Sequence, residues 1–383
     1  MEKEIRRVYL DNAATTPMDP KVFDAMEPIL RTYYGNPSSI HSHGRKAKNA
    51  LELARKSMAQ LLSISPSELV FTSGGTEADN MVLRMAVKNL GVQHIISSPI
   101  EHHAVLNTLH ELGEEQKTKI HFLQVDAQGN IDTAELESLL IQYPNALVSL
   151  MHGNNEIGNL IDLVEIGSLC KKYNALFHTD TVQTMGHYAL DLTALPVDFA
   201  VGSAHKFNGP KGVGFLYVSK SCKLHPFITG GGQERGLRAG TENMAGIVGM
   251  AKALEISIEE METKKQKIEY LKETFKNKLT EIDASITFNG NLNNSLYTVL
   301  NVSFPQWLPS DLFLFQLDIL GISASGGSAC SSGASKGSHV LASIGADSNK
   351  NHVRFSFGKF NQLDDIEFAI AQLKSLKQQS ATS

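Results

Sequence analysis

Cysteine is scarce: only 3 occur in 383 residues, Cys170, Cys222 and Cys330, and no two form a Cys-x-x-Cys pair. Neither a disulfide framework nor a zinc site is indicated, and the usage fits the reducing cytoplasm. No charge of one sign dominates. The formal net charge is -5, with 35 Lys+Arg set against 40 Asp+Glu, which gives no electrostatic signal for nucleic acid or a membrane surface. Apolar runs are short, and none reaches the roughly 18 residues of a spanning helix. The opening Met-Glu-Lys-Glu-Ile-Arg-Arg is charged, so no signal peptide is visible. His41 and His43 stand apart from other ligand types and suggest no intrinsic metal site.

What is present is a globular chain, 42% hydrophobic, long enough for one large core and a second, smaller one. Short apolar runs at 68–72, 94–98, 120–125, 146–151 and 175–177 alternate with helical patterns at 44–62, 75–87, 101–106 onward, 133–141 and 162–173. Such alternation predicts βαβ units, hence an α/β fold with a mostly parallel sheet. Runs at 197–201 and 213–218 add strands. A Glu- and Lys-rich helical segment is expected at 245–282 as a link between lobes, followed by a smaller α+β lobe with strands near 296–304 and 353–357 and helices near 310–320 and 363–376. The glycine-rich basic stretch 230–241 reads as a mobile loop that meets phosphate or a partner subunit.

Chemistry concentrates at 177–214. Asp180 follows the apolar run at 175–177, where an open parallel sheet presents side chains to ligand. Lys206 follows the run at 197–201 among Ser203, Ala204 and His205. A lysine held between small residues is either an ordinary solvated loop lysine or a partly desolvated amine able to attack a carbonyl. An aspartate on a neighbouring strand is what a pyridoxal phosphate ring needs opposite its nitrogen. The turn Ser73-Gly74-Gly75-Thr76-Glu77 opens a helix after a strand. It serves either as a tight turn or as a phosphate cradle, and it carries neither the dinucleotide nor the ATP fingerprint. His102 stands at a strand exit, as a proton relay against a cofactor ring or as a satisfied surface histidine. Cys330 lies in a stretch of Ser, Gly and Ala that is flexible by composition, an unusual place for an unused thiol.

Five motifs in order, Ser73-Gly-Gly-Thr-Glu77, His152-Gly-Asn-Asn-Glu-Ile-Gly158, Asp180-Thr-Val-Gln183, Ser203-Ala-His-Lys206 and Ser325-Gly-Gly-Ser-Ala-Cys330, resemble those of the cysteine desulfurases of the NifS/IscS type. The resemblance runs from Tyr9-Leu-Asp-Asn-Ala-Ala-Thr-Thr-Pro17 past Val353-Arg-Phe-Ser-Phe-Gly358. It implies a fold-type I pyridoxal phosphate enzyme: a large domain at 16–260 with a seven-stranded sheet, and a small domain formed by 1–15 and 261–383. Lys206 would hold the cofactor covalently and shuttle the α-proton. Asp180 would pair with the ring nitrogen, Gln183 with the ring oxygen, and His102 would stack on the ring. Gly75, Thr76, Ser203 and His205 would hold the phosphate, Thr241 would reach it from the partner of a homodimer, and Asn155 would touch the cofactor. Asn36 and Arg354 would grip the carboxylate of L-cysteine.

Cys330 would then be the nucleophile that takes the sulfur as a persulfide, leaving alanine. It would deliver the sulfur to an acceptor such as an iron–sulfur scaffold, or toward tRNA thiolation, and could transiently ligate a nascent cluster. Its long loop resembles the long-loop branch of these enzymes. Thr181, Gly153 and His103 depart from the residues usual in this group, each beside an implied contact. A selenocysteine lyase or another fold-type I enzyme is the alternative.

Overall fold

The computed structural model describes residues 6–115, 118–326 and 337–380. Strand β1 (Val8–Tyr9) is followed by helices α1 (Pro20–Thr32) and α2 (Ser42–Leu61). Strands and helices then alternate: β2 (Leu69–Thr72), α3 (Gly75–Leu90), β3 (His94–Ser97), α4 (His103–Glu115), β4 (Lys119–Phe122), α5 (Thr133–Gln142), β5 (Leu147–Ser149), α6 (Leu163–Lys172) and β6 (Leu176–Asp180). Strands β7 (Phe199–Ser203) and β8 (Gly214–Val218) lead to α7 (Met244–Glu259) and α8 (Met261–Ile282). The remainder is β9 (Thr287–Asn289), β10 (Val299–Phe304), α9 (Ser310–Ile319), β11 (Ile322–Ser323), α10 (His339–Ser343), β12 (Asn351–Ser356) and α11 (Leu363–Ser380).

The 7-stranded sheet has the order β2-β8-β7-β6-β5-β3-β4. Only β8 runs antiparallel to its neighbours, so the C-terminal ends of the other strands share one edge. Both faces are covered, which is why the strands read as continuous apolar runs rather than alternating ones. Phe71, Ile96, Val148, Phe177 and Ala200 pack on one side with Leu51, Met58 and Leu254. Their chain neighbours Val70, Ile95, Leu147 and Phe199 pack on the other with Val82, Val105 and Leu109. Asp132 and Asp162 start α5 and α6 by accepting hydrogen bonds from backbone N–H groups of the first turn.

A separate core forms where α8 and α11 cover the 3-stranded sheet β12-β10-β9. Phe275, Phe304, Phe355 and Phe357 fill it. Strand β1 pairs in parallel with β11 there, bringing the N-terminal segment against the stretch that leads to residue 326.

Two expectations are corrected. The segment 245–282 is not one helix: α7 and α8 meet at Glu260, with no Gly or Pro at the break. The junction is set by tertiary contacts, because Lys359 Nζ bonds Glu260 Oε2 at 2.8 Å and buried Lys264 bonds the carbonyl of Gly186 at 2.6 Å. The glycine-rich stretch 230–241 is anchored by a buried ion pair. Glu234 accepts two bonds from Arg55, 2.9 and 2.6 Å, and one from the Phe71 N–H, 2.9 Å. Composition alone could not show it, since the partner is 179 residues away.

Candidate active site

Asp180 is the last residue of β6, and Ser203 the last of β7. Lys206 follows on the single turn Ala204–Lys206. Parallel pairing of β6 with β7 therefore delivers an acid and an amine to the same sheet edge. They line one cavity of about 780 Å³, counting its open mouth, together with Gly75, Thr76, His102, Asn155, Gln183, Ser203, His205 and Arg354.

The N-terminal segment closes one wall. Lys206 Nζ donates to the carbonyls of Ala13 at 2.6 Å and Ala14 at 2.9 Å, and Gln183 Nε2 donates to Ala13 at 3.0 Å. His205 Nδ1 lies 3.1 Å from Thr15 Oγ1. These carbonyls orient the amine without neutralising its charge.

Asp180 is buried, and desolvation pushes its carboxyl up to about 6. The Val182 N–H at 2.8 Å and the Lys206 ammonium both act against that rise. A cationic partner over Asp180 would lower it further. Burial, with the Lys206 charge second, drives His102 down to about 4. Its Nδ1 accepts from the Ala104 N–H at 3.1 Å, so the ring is neutral with its hydrogen on Nε2.

Helix α3 begins at Gly75 with no side-chain cap, since Gly74 holds the N-cap position. Its first N–H groups are left for a ligand at the positive end of the helix dipole. A Cβ on Gly75 would come within 2.9 Å of Val182 Cγ2, so only glycine allows this close approach without a shift. Uncapped amides flanked by Thr76, Ser203 and His205 suit a phosphate. A deep carboxylate, a neutral imidazole and an amine beside it suit the ring and aldehyde of pyridoxal phosphate, so the residues present fit that group.

Arg354, on β12, is almost wholly buried at 1% exposure. It donates from Nη2 to Asp11 Oδ1 and from Nη1 to the Asn155 carbonyl, both at 2.9 Å. Asn36 is not brought to the cavity: it is exposed, and its Oδ1 accepts from the Ser38 N–H at 2.9 Å. Thr241 is exposed and does not line the cavity. Cys330 lies outside the described residues.

Sequence reasoning missed Asp79 and Asp11. Asp79 lines the cavity and is buried; desolvation, then the charges of Asp180 and Glu101, push its carboxyl well above the usual range. Its position four residues after Gly75 on one helix face was a usable signal. Asp11 had none, because its partners are Arg354 and Ser325.

The three unusual positions have physical accounts. Thr181 is buried and donates to the Val201 carbonyl at 2.6 Å, tying β6 to β7. At Gly153 a Cβ would lie 2.9 Å from both Leu296 Cδ2 and Thr184 Cγ2. His103 packs against His339, with ring centres 4.5 Å apart.

The family model described as Aminotransferase class-V matches residues 8–368. A protein of Dictyoglomus turgidum named cysteine desulfurase IscS is 41% identical, over 97% of this chain and 94% of that protein. One of Bacillus subtilis named putative cysteine desulfurase IscS 1 is 42% identical, over 95% of this chain and 97% of that protein. Among solved structures, a NifS-like protein superposes with a TM-score of 0.90 at 36% identity, covering 98% of this chain and 100% of that one. A structure titled SspA in complex with cysteine gives 0.79 at 33% identity, covering 92% and 99%.

Proposed function

Because this chain belongs to the aminotransferase class-V family, and within it to the cysteine desulfurases, we infer that its cavity takes L-cysteine and releases L-alanine, with the sulfur carried on Cys330. The observation that carries this reading is the convergence of Lys206, Asp180, His102 and Arg354 on one cavity. When bound, pyridoxal phosphate supplies an electron sink for bonds at the substrate's α- and β-carbons.

The roles of this chain's residues follow from where they stand. Lys206 would hold the cofactor through its amine and would move the substrate's α-proton. Asp180 would pair with the ring nitrogen, and His102, neutral with its hydrogen on Nε2, would lie against the ring. The uncapped start of α3, with Ser203 and His205, would hold the phosphate. Arg354 would hold the substrate carboxylate and so fix the substrate's orientation.

The thiolate of Cys330 attacks the substrate sulfur: an S–S bond forms, the C–S bond breaks with its electron pair left on carbon, and a proton completes alanine. The other two thiols are unsuited to this step. Burial, then the charge of Asp198, pushes Cys170 up to about 12 and Cys222 up to about 11, so both stay protonated at neutral pH.

A homodimer is part of the proposal. Exposed apolar side chains gather at 18–40, with Leu30 64%, Tyr34 77% and Ile40 90% exposed, as an interface requires. Thr241, outside the cavity of its own chain, would serve the partner's phosphate, and Asn36 is exposed in the same apolar stretch. A sulfur-acceptor protein, such as an iron–sulfur scaffold, and a cytoplasmic setting complete the reading. No helix among the described residues is long and apolar enough to cross a membrane.

The test is incubation with L-cysteine while alanine and sulfide are measured, with the Cys330→Ala protein alongside and mass spectrometry for a persulfide. Alanine in step with sulfide, a mass gain on Cys330 and loss of turnover in the variant are expected. Full turnover by Cys330→Ala would refute the sulfur-transfer step. Selenide from selenocysteine, with no sulfide from cysteine, would assign the lyase.

A further inference from the structure

A guanidinium has five N–H groups, and the structure shows how Arg354 spends them. Nη2 donates to Asp11 Oδ1 at 2.9 Å and Nη1 to the Asn155 carbonyl at 2.9 Å. Nε is buried and has no partner. One hydrogen each on Nη1 and Nη2, with the Nε–H, therefore remains for a carboxylate entering the cavity that Arg354 lines.

A buried cation without a counter-charge is costly, and Asp11 is the counter-charge. Its side chain is 17% exposed and that of Arg354 1%. Asp11 is also fixed in place. Its backbone bridges Ser356, and its second oxygen accepts from Ser325 Oγ at 2.9 Å. Ser325 is bridged in turn to Arg354 itself, through Ser325 N to Arg354 O at 3.2 Å and Arg354 N to Ser325 O at 2.7 Å. Asp11, Ser325 and Arg354 thus form a closed ring of contacts behind the cavity wall.

Resting on the reading that Arg354 receives the substrate carboxylate, we propose that Asp11 is a positioning residue that sets carboxylate affinity: it aims the guanidinium into the cavity while cancelling part of its charge. The Ser325 hydroxyl moderates it by taking up some of the Asp11 charge. A carboxylate strongly paired to Arg354 competes with the incoming one; a weakly paired carboxylate leaves Arg354 more attractive to substrate.

Two substitutions push in opposite directions. In Asp11→Asn the amide oxygen still accepts from Arg354 and the amide nitrogen donates to Ser325 Oγ, so both contacts survive and only the charge is lost. Ser325→Ala leaves Asp11 charged and without its hydroxyl partner.

The probe is 3-mercaptopropionate, cysteine without the amino group, titrated into the holoenzyme by calorimetry. Asp11→Asn should bind it tighter, on the order of five-fold, and Ser325→Ala weaker, about two-fold, as expected for a neighbouring charge removed or strengthened in a partly screened site. The KM for cysteine should move in the same sense. Unchanged affinity in Asp11→Asn, or a shift of both variants in one direction, overturns the proposal. Should Asp11→Asn not fold, as judged by circular dichroism, the Ser325→Ala result decides alone. Arg354→Gln separates the two readings: if it leaves the probe affinity intact, the role given to Arg354 is wrong and the proposal falls with it. If it abolishes binding while the other variants change nothing, only the role given to Asp11 is wrong.

Discussion

Glu234 offers the sharpest test of what fixes the glycine-rich stretch beside the site. Its side chain is 2% exposed and that of its partner Arg55 4%. Arg55 spans Glu234 with two bonds, gives a third to the Leu69 carbonyl at 3.0 Å, and stacks over Phe71 at 4.5 Å. Glu234 also caps the Phe71 N–H on β2. Both Glu234, at φ 45°, and Arg235, at φ 58°, sit in left-handed backbone that non-glycine residues adopt reluctantly. Replacing Glu234 with Ala removes the pair but leaves that backbone, the buried cation and an unbonded N–H. Breaking a buried pair from one side costs about 3–5 kcal/mol. With roughly 2.1 cal/mol/K of unfolding entropy per residue, this lowers the melting temperature by about 4–6 °C for a chain of this length. Arg55→Ala should cost a similar amount, and the double variant well under the sum. Cofactor release on dilution should quicken, because Thr241 lies seven residues beyond Glu234 and Arg238 pairs with Glu77 at 2.8 Å next to the start of α3. Additive single effects, or a loss below about 1 kcal/mol, the range of a solvent-exposed pair, would refute the anchoring role.

Two further changes probe buried chemistry and packing. Burial pushes the Glu101 carboxyl from 4.5 up to about 8, so between those values the folded chain holds a proton that the unfolded chain has lost. Stability should therefore fall as pH rises through that window, by about 1.4 kcal/mol per pH unit at most. Glu101→Gln keeps one acceptor for the Met151 N–H and should flatten the slope in a melting series from pH 5 to pH 8; an unchanged slope counts against the assignment. Gly153→Ala forces a methyl against Leu296 and Thr184 and should cost about 1–3 kcal/mol in urea unfolding. A neutral result there would mean that the wall of Leu296 gives way.

Most of the large sheet was legible because a strand buried on both faces favours an apolar run, and the runs at 68–72, 94–98, 146–151 and 175–177 are visible without partners. The site was legible where one residue's chemistry and its place at a strand end point the same way, as for Asp180 and Lys206. Cores also explain what was missed. β9 is three residues long and partly exposed, so its sequence lacks the run that marks a buried strand. The two-residue β11 exists only because β1 pairs with it, and no local pattern foretells a contact more than three hundred residues distant.

Asp11 shows why such gaps fall near the chemistry. A residue that bonds substrate or cofactor carries a distinctive side chain in a distinctive loop, whereas one that steadies it, like Asp11 behind Arg354 or Glu234 behind the glycine-rich stretch, is an ordinary acid until the fold supplies its cation. Buried acids are costly unless paired or protonated, so each one forces a question about its partner. Asp11 and Glu234 are answered by arginines; Glu101, pushed up to about 8 by burial, is answered by a proton. The two kinds respond oppositely to loss of charge. Neutralising Asp11 or Glu234 exposes an arginine's field, while neutralising Glu101 replaces a carboxyl that burial has pushed up to about 8 and that is mostly protonated at neutral pH. That opposition follows from burial and partner alone.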